Sequence, residues 1–139
     1  MKKLAATLFI LMVSALPTLV SAQTARTTIK ATIPFEFVVA GKTMPAGEYQ
    51  IQVLRDGGTS LLISNRDESA YAIPFSTQSV KPAEGTDLVF HAYGDRHFLV
   101  SISLEGQTWG YGMNESKLES ELRAQNVVEH DESLLASAN

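Results

Sequence analysis

The chain has 139 residues, and 45% of them are hydrophobic while 19% are charged, which excludes a disordered protein and suits one globular domain. It contains no cysteine, so thiol catalysis, thiolate metal sites and disulfide cross-links are excluded. Its formal net charge of −4, with no basic patch, disfavours nucleic acid as a partner.

The first 22 residues have the pattern of a secretory signal peptide. Two lysines precede an apolar run from residue 4 to residue 20. Val20-Ser21-Ala22 then supplies the small side chains that a signal peptidase recognises. The alternative is a retained membrane anchor, but the run is short for a span of about 20 apolar residues. We therefore predict export to the periplasm or beyond the cell, cleavage before Gln23, and no membrane span afterwards.

Residues 23–114 show the period-two alternation of a β domain. Ile29, Ala31 and Ile33 alternate with polar residues, and Pro34, which cannot donate to a ladder, predicts an edge strand or a bend there. Further strand-like segments, separated by turn signals, lie at 48–53, 61–63, 71–76, 87–93, 97–104 and 107–113. This pattern predicts a mainly β fold, either an antiparallel β-sandwich or a small barrel.

The period changes after residue 114. Ser116 and Glu119 have the spacing of a capping box, and Glu119 with Arg123 forms an i, i+4 pair. We predict a C-terminal helical segment over residues 115–128, with the helix itself at about 116–125. Residues 129–139 carry three acids and only Leu134-Leu135 as an adjacent apolar pair, so we predict a flexible acidic tail.

Two segments carry a resemblance to known sequences. These are residues 33–49, IPFEFVVAGKTMPAGEY, and residues 88–95, LVFHAYGD, followed by Phe98-Leu99. They resemble a family of small, uncharacterised exported β-rich proteins of soil bacteria, and the similarity covers most of the mature chain. The resemblance implies export and these domain boundaries, and it implies no activity or cofactor.

His91 and His97 lie on either side of one predicted hairpin turn. With a two-residue Gly94-Asp95 loop, Tyr93 would pair with Arg96, and the two imidazoles would lie on opposite faces. With a three-residue loop, Tyr93 would pair with His97, and both histidines would share the exposed face. The second register gathers the apolar residues of both strands on one face, so we predict it. A metal ion there would need a third ligand from the loop or a neighbouring strand.

Trp109 and Tyr111 share one face of the last predicted strand, because Gly110 separates them. They could form a stacking platform for a sugar or an anchor for a partner protein, or they could fill the core. Aromatic residues at strand spacing are usually buried, so we favour the core. Together with His91 and His97 they are the candidate ligand or partner contacts.

No nucleophile elbow or other catalytic motif stands out in the chain. We therefore predict an exported binding or structural module of the bacterial cell envelope, with no catalytic residues, cofactor or metal. Its expected partner is an envelope protein or a carbohydrate, and self-association through a sheet edge is a further expectation. The alternative is an envelope hydrolase or a metal-dependent enzyme that uses the His91/His97 face.

Overall fold

The computed structural model describes residues 26–55, 57–125 and 127–139, so the predicted signal peptide and its cleavage site lie outside the described residues. Within those ranges the chain forms eleven strands and one helix. In chain order these are β1 (Thr28–Ile33), β2 (Phe37–Val39), β3 (Lys42–Met44), β4 (Gly47–Leu54), β5 (Ser60–Ser64), β6 (Ser69–Ala72), β7 (Phe75–Gln78), β8 (Thr86–Tyr93), β9 (Arg96–Ser103), β10 (Trp109–Gly112), α1 (Lys117–Ala124) and β11 (Glu129–Ala138).

The strands form one mixed sheet that curls almost into a closed barrel. Their order is β3-β2-β9-β8-β11-β1-β4-β5-β6, and β10 pairs with both β9 and β7. Only Ile73 and Pro74 separate β6 from β7. Because β6 pairs with β5 and β7 pairs with β10, this short connection links the β5 side of the sheet to the β10 side. The β2–β9 pair is parallel. The mainly β prediction is confirmed, whereas the prediction of a wholly antiparallel sheet is wrong.

Inward-facing apolar side chains fill the interior. The largest fully buried ones are Tyr49, Phe37, Phe90, Ile29, Ile33, Met44, Ile51, Leu61, Ile63, Leu88 and Ile102. The Phe37 ring packs edge to face against Tyr49 and Phe90, with ring centroids 5.1 Å and 5.7 Å apart. Such pairs add specific geometry to the burial of apolar area, which is the main driving force for a domain without disulfides.

The strand that precedes Pro34 is internal. β1 pairs with β4 on one side and with β11 on the other, so the edge-strand alternative at Pro34 is wrong, and the alternative of a bend there is confirmed, because β1 ends at Ile33 and β2 begins at Phe37. Pro34 lies just beyond the last paired residue of β1, where its missing N–H costs no ladder hydrogen bond. Among the described strands, β3 and β6 are the two ends of the sheet path.

The segment predicted as a flexible tail is a strand near the middle of the sheet. β11 pairs with β8 from Glu129 to Ala136 and with β1 through Ser137 and Ala138. The prediction is therefore wrong for residues 129–138. Its inward positions include Glu132, and its outward face is exposed, so the alternation in the sequence is weak. Hydrogen bonding to two neighbouring strands, rather than apolar burial, defines this element.

The β8–β9 hairpin has the two-residue loop, and the predicted three-residue loop is wrong. Tyr93 pairs with Arg96, and Gly94 has a φ of 62°. Glycine at the first loop position suits the type II′ turn, whose twist matches that of the flanking strands. Turn chemistry therefore sets the register at this end of the hairpin.

Farther from the turn, a β-bulge in the same hairpin shifts the pairing by one residue, to the register that was predicted for the three-residue loop. Phe90 pairs with Leu99, whereas Val89 pairs with Ser101, so one residue of β9, Val100, is left without a partner in β8. Beyond the bulge the pairing is that of the three-residue loop. The two registers considered for the sequence therefore coexist, one at each end of the hairpin.

Candidate functional site

The two histidines point to opposite faces of the hairpin. His91 pairs with Phe98, and Ala92 pairs with His97. Cross-strand partners share a face, whereas consecutive residues alternate, so the two imidazoles lie on different sides of the sheet. The prediction that they share the exposed face is wrong, and it fails because the loop has two residues.

His97 belongs to the interior side of the sheet. Its ring stacks on Phe35 with centroids 3.8 Å apart, and its Nε2 lies 3.0 Å from Oε2 of Glu132. Among the described residues, its buried Nδ1 has no hydrogen-bond partner. Glu132 is an inward-facing residue of β11, so this pair joins β9 to β11 where the interior reaches solvent.

His91 lies on the outer side, in a polar cluster beneath α1 that we call the Tyr93 cluster (His91, Tyr93, Glu119, Arg123 and Glu129). The side chain of Glu119 is almost wholly buried, and its Oε1 lies 2.6 Å from His91 Nδ1 and 3.3 Å from the Tyr93 hydroxyl. The single proton of the Tyr93 hydroxyl is donated to Glu129 Oε2 at 2.9 Å, the shorter of its two carboxylate contacts. The cluster thus connects the helix to β8 and β11.

The helix begins where the capping box predicts. Ser116 is the N-cap, and its hydroxyl accepts from the backbone N–H of Glu119 at 3.1 Å. The predicted Glu119–Arg123 pair does not form, because the Glu119 carboxylate turns to donors on the sheet. Arg123 instead contacts Glu115 at 3.0 Å and Glu129 at 3.7 Å. Local sequence sets the cap, and tertiary contacts decide the charge pairing.

The Tyr93 hydroxyl is a permanent donor at neutral pH. Burial raises the pKa of Tyr93 to about 12, the hydrogen bond from Arg123 opposes that rise, and the carboxylates of Glu129 and Glu119 add to it. A phenol with this pKa stays protonated and cannot act as a base near pH 7. Its proton holds the Glu129 carboxylate, and the Glu119 carboxylate lies close by at 3.3 Å.

The other ring nitrogen of His91 faces two further carboxylates. Nε2 lies 3.3 Å from Glu129 Oε1 and 3.7 Å from Asp131 Oδ1, and the three residues offer ligand atoms that all lie within 4.8 Å of one another. Both acids come from β11, the segment predicted to be flexible. The sequence analysis singled out His91 but missed its partners, which only the β8–β11 pairing brings to it.

The side chains of Trp109 and Tyr111 belong to the hydrophobic core. Tyr111 is buried in it, Trp109 packs against it, and the two rings meet edge to face with centroids 5.5 Å apart. The favoured core interpretation is therefore confirmed for Tyr111. Trp109 also lines a small cleft of about 280 Å³ together with Arg55, Phe75 and others.

An exposed apolar surface runs along β6 and β7 beside this cleft. Tyr71, Ile73 and Phe75, which we call the β6–β7 ridge, are 65%, 78% and 49% exposed. They occupy alternate positions and point away from the interior, where Ala70 and Ala72 are buried instead. Three large apolar side chains on one outward face are unusual for a surface without a partner.

A wider groove of about 1160 Å³ lies over the outer face of β1 and β4. Its charged lining residues are Lys30, Glu48, Arg66 and Asp67. Positive and negative side chains are balanced there, so the groove has no net charge that would select an ionic ligand.

No family model, no curated protein and no solved structure matches this chain. Within the described residues, no helix has the length and apolar character needed to cross a membrane.

Proposed function

We propose that this chain is an exported, non-catalytic binding module of the bacterial cell envelope, and that the β6–β7 ridge binds a protein partner. The observation that carries the proposal is the ridge itself, with Tyr71, Ile73 and Phe75 on one outward face. Contiguous exposed apolar side chains on a folded domain are typical of interaction surfaces. The signal-like pattern of residues 1–22 supports export.

The composition of the ridge favours a protein over a carbohydrate. Ile73 is its most exposed member and lies between the two aromatic residues in the sequence. An aliphatic side chain suits an apolar protein surface, whereas a sugar-binding platform needs aromatic faces with polar groups around them. The Trp109 cleft lies next to Phe75 and offers a pocket for one anchoring side chain of the partner.

The positions of the histidines support a non-catalytic role over the alternative hydrolase. That alternative needs His91 and His97 on one face, and the hairpin register turns them to opposite faces. The Tyr93 phenol, protonated at neutral pH, supplies neither a base nor a nucleophile.

Site-specific photo-crosslinking in an exporting bacterial host tests the binding surface. A photoreactive phenylalanine derivative replaces Ile73 in one variant and Leu135 in the control, because these two apolar side chains are 78% and 79% exposed. We expect a specific protein adduct from position 73 only. With the purified adduct protein, Ile73→Asp should weaken binding at least about tenfold, since a charge would be buried in an apolar contact.

Equal adducts from both positions, or capture of polysaccharide alone, would contradict the proposed protein-binding role. Export is checked separately on the same material by mass spectrometry of the N-terminus. The chain recovered outside the cytoplasm should begin at Gln23, and an intact leader on that chain would contradict the predicted cleavage.

A further inference from the structure

We propose that His91, Glu129 and Asp131 bind a divalent transition-metal ion on the outer face of the β8–β11 pair, and that Glu119 orients the His91 ring for it. This site lies on a different surface from the β6–β7 ridge and does not depend on the proposed function. The set comprises one imidazole nitrogen and two carboxylate oxygens, which suits Zn²⁺ with a fourth position left for water.

The sheet register brings the three ligands together on paired strands. His91 and Asp131 are cross-strand partners, and Glu129 lies two residues from Asp131 on the same face. Eight consecutive residue pairs connect β8 and β11. Ligands on such strands are held more accurately than ligands on loops, so the site is largely preformed.

The distances fit a tetrahedral ion. Two ligand atoms that each lie about 2.1 Å from a tetrahedral metal ion are roughly 3.4 Å apart. His91 Nε2 lies 3.3 Å from Glu129 Oε1 and 3.7 Å from Asp131 Oδ1. Both separations are close to the expected value, and the third, between the two carboxylates, is within 4.8 Å.

The neighbouring hydrogen bonds engage the other atoms of His91 and Glu129, and they leave His91 Nε2 and Glu129 Oε1 available to an ion. The Nδ1–H of His91 donates to the buried Glu119 carboxylate at 2.6 Å, which fixes the tautomer with its lone pair on Nε2. The Tyr93 hydroxyl donates a hydrogen bond to Oε2 of Glu129, and the other carboxylate oxygen, Oε1, faces His91. A histidine ligand whose second nitrogen is held by a carboxylate is the usual arrangement around bound zinc.

The competing explanation is a proton on Nε2, which would make His91 an imidazolium among ion pairs. The local charge balance favours the metal ion. Glu119, Glu129 and Asp131 contact His91, Glu115 and Glu129 contact Arg123, and among the described residues Arg123 is the one guanidinium in contact with this group. A proton on His91 leaves these side chains with a net charge of about −2, whereas a divalent cation beside a neutral His91 leaves about −1. An imidazole ligand further favours Zn²⁺ over Mg²⁺ or Ca²⁺.

Calorimetric titration of the purified, EDTA-treated chain with ZnCl₂ tests the site. We expect one ion per chain, an increase in melting temperature with Zn²⁺, and no comparable effect of MgCl₂ or CaCl₂. Asp131→Asn should weaken Zn²⁺ binding at least about tenfold, because it removes one anionic ligand. Asp131 is 68% exposed at its side chain, so this variant should keep the far-ultraviolet circular dichroism and metal-free melting temperature of the wild type.

Two controls separate this site from adventitious binding. Asp95→Asn removes an exposed acid from the loop of the same hairpin, and His130→Gln removes the exposed imidazole next to Asp131 along β11. Both variants should bind Zn²⁺ like the wild type. Binding that is unchanged in Asp131→Asn, abolished in His130→Gln, or absent from the wild-type chain would overturn the proposal.

Discussion

The two glycines of β10 face a crowded surface, and their role is packing. A Cβ atom at Gly110 would lie 2.5 Å from the backbone carbonyl oxygen of Ile102 and 3.1 Å from Oγ1 of Thr77. At Gly112 a Cβ atom would overlap the ring of Phe75. The glycines therefore let Phe75 and Thr77 cover β10 from outside while Trp109 and Tyr111 face inward. The sequence pattern showed which face carries the rings, but it could not show what covers the other face.

We expect Gly110→Ala to destabilise the protein by about 1–3 kcal/mol, as overpacking does. The neighbouring atom belongs to the β9 backbone, which cannot move without disturbing the β9–β10 ladder. Urea unfolding followed by circular dichroism measures the effect. Gly58→Ala is the control, because a Cβ atom there meets open space, and it should change the free energy of unfolding by less than about 0.5 kcal/mol. Equal effects of the two substitutions would contradict the packing role.

Among the elements, α1 illustrates what local sequence can and cannot predict. Its start at the Ser116 cap was predictable because a cap depends on residues within one turn. Its mode of docking was not, since the buried helical residue is Glu119, and the partners that satisfy it come from β8. An eight-residue helix is marginal in water by itself, so these polar contacts matter for holding it in place.

The raised pKa of Tyr93 gives this docking a pH dependence. The unfolded-state pKa is about 10 and the folded-state value is about 12, so the folded protein holds the phenolic proton more tightly. The stability from this group is therefore fully present below pH 10 and is lost as the pH rises to about 12. Melting temperatures between pH 8 and pH 12 should fall more steeply for the wild type than for Tyr93→Phe. Tyr71→Phe, at an exposed position, should follow the wild-type curve, and parallel curves for Tyr93→Phe would contradict the assignment.

For the whole molecule, period-two alternation predicted a β-rich domain because that signal is local, but the order of the strands depends on distant pairings. β11 lies between β8 and β1, and β1 is about a hundred residues away in sequence. Its outward face carries an exposed Leu135 among polar residues and its inward face includes Glu132, so its apolar residues do not alternate and the sequence does not distinguish it from a solvated segment. Two of the three proposed metal ligands lie on β11. The error on the tail therefore also concealed the site.

Because β11 separates β8 from β1, deleting residues 129–139 should abolish cooperative unfolding. β8 would keep only β9 and β1 would keep only β4, so the sheet would lose the strand that joins its two halves. Circular dichroism with thermal melting measures this, and a matched pair of substitutions localises the effect. Leu134→Ala, on the inward face against the core, should cost about 2 kcal/mol, since it removes apolar contact area. Leu135→Ala, at a 79% exposed side chain, should cost less than about 0.5 kcal/mol. A truncated chain that melts like the wild type would show that the sheet closes without β11, and equal costs for the two leucines would show that the strand does not present Leu134 to the interior.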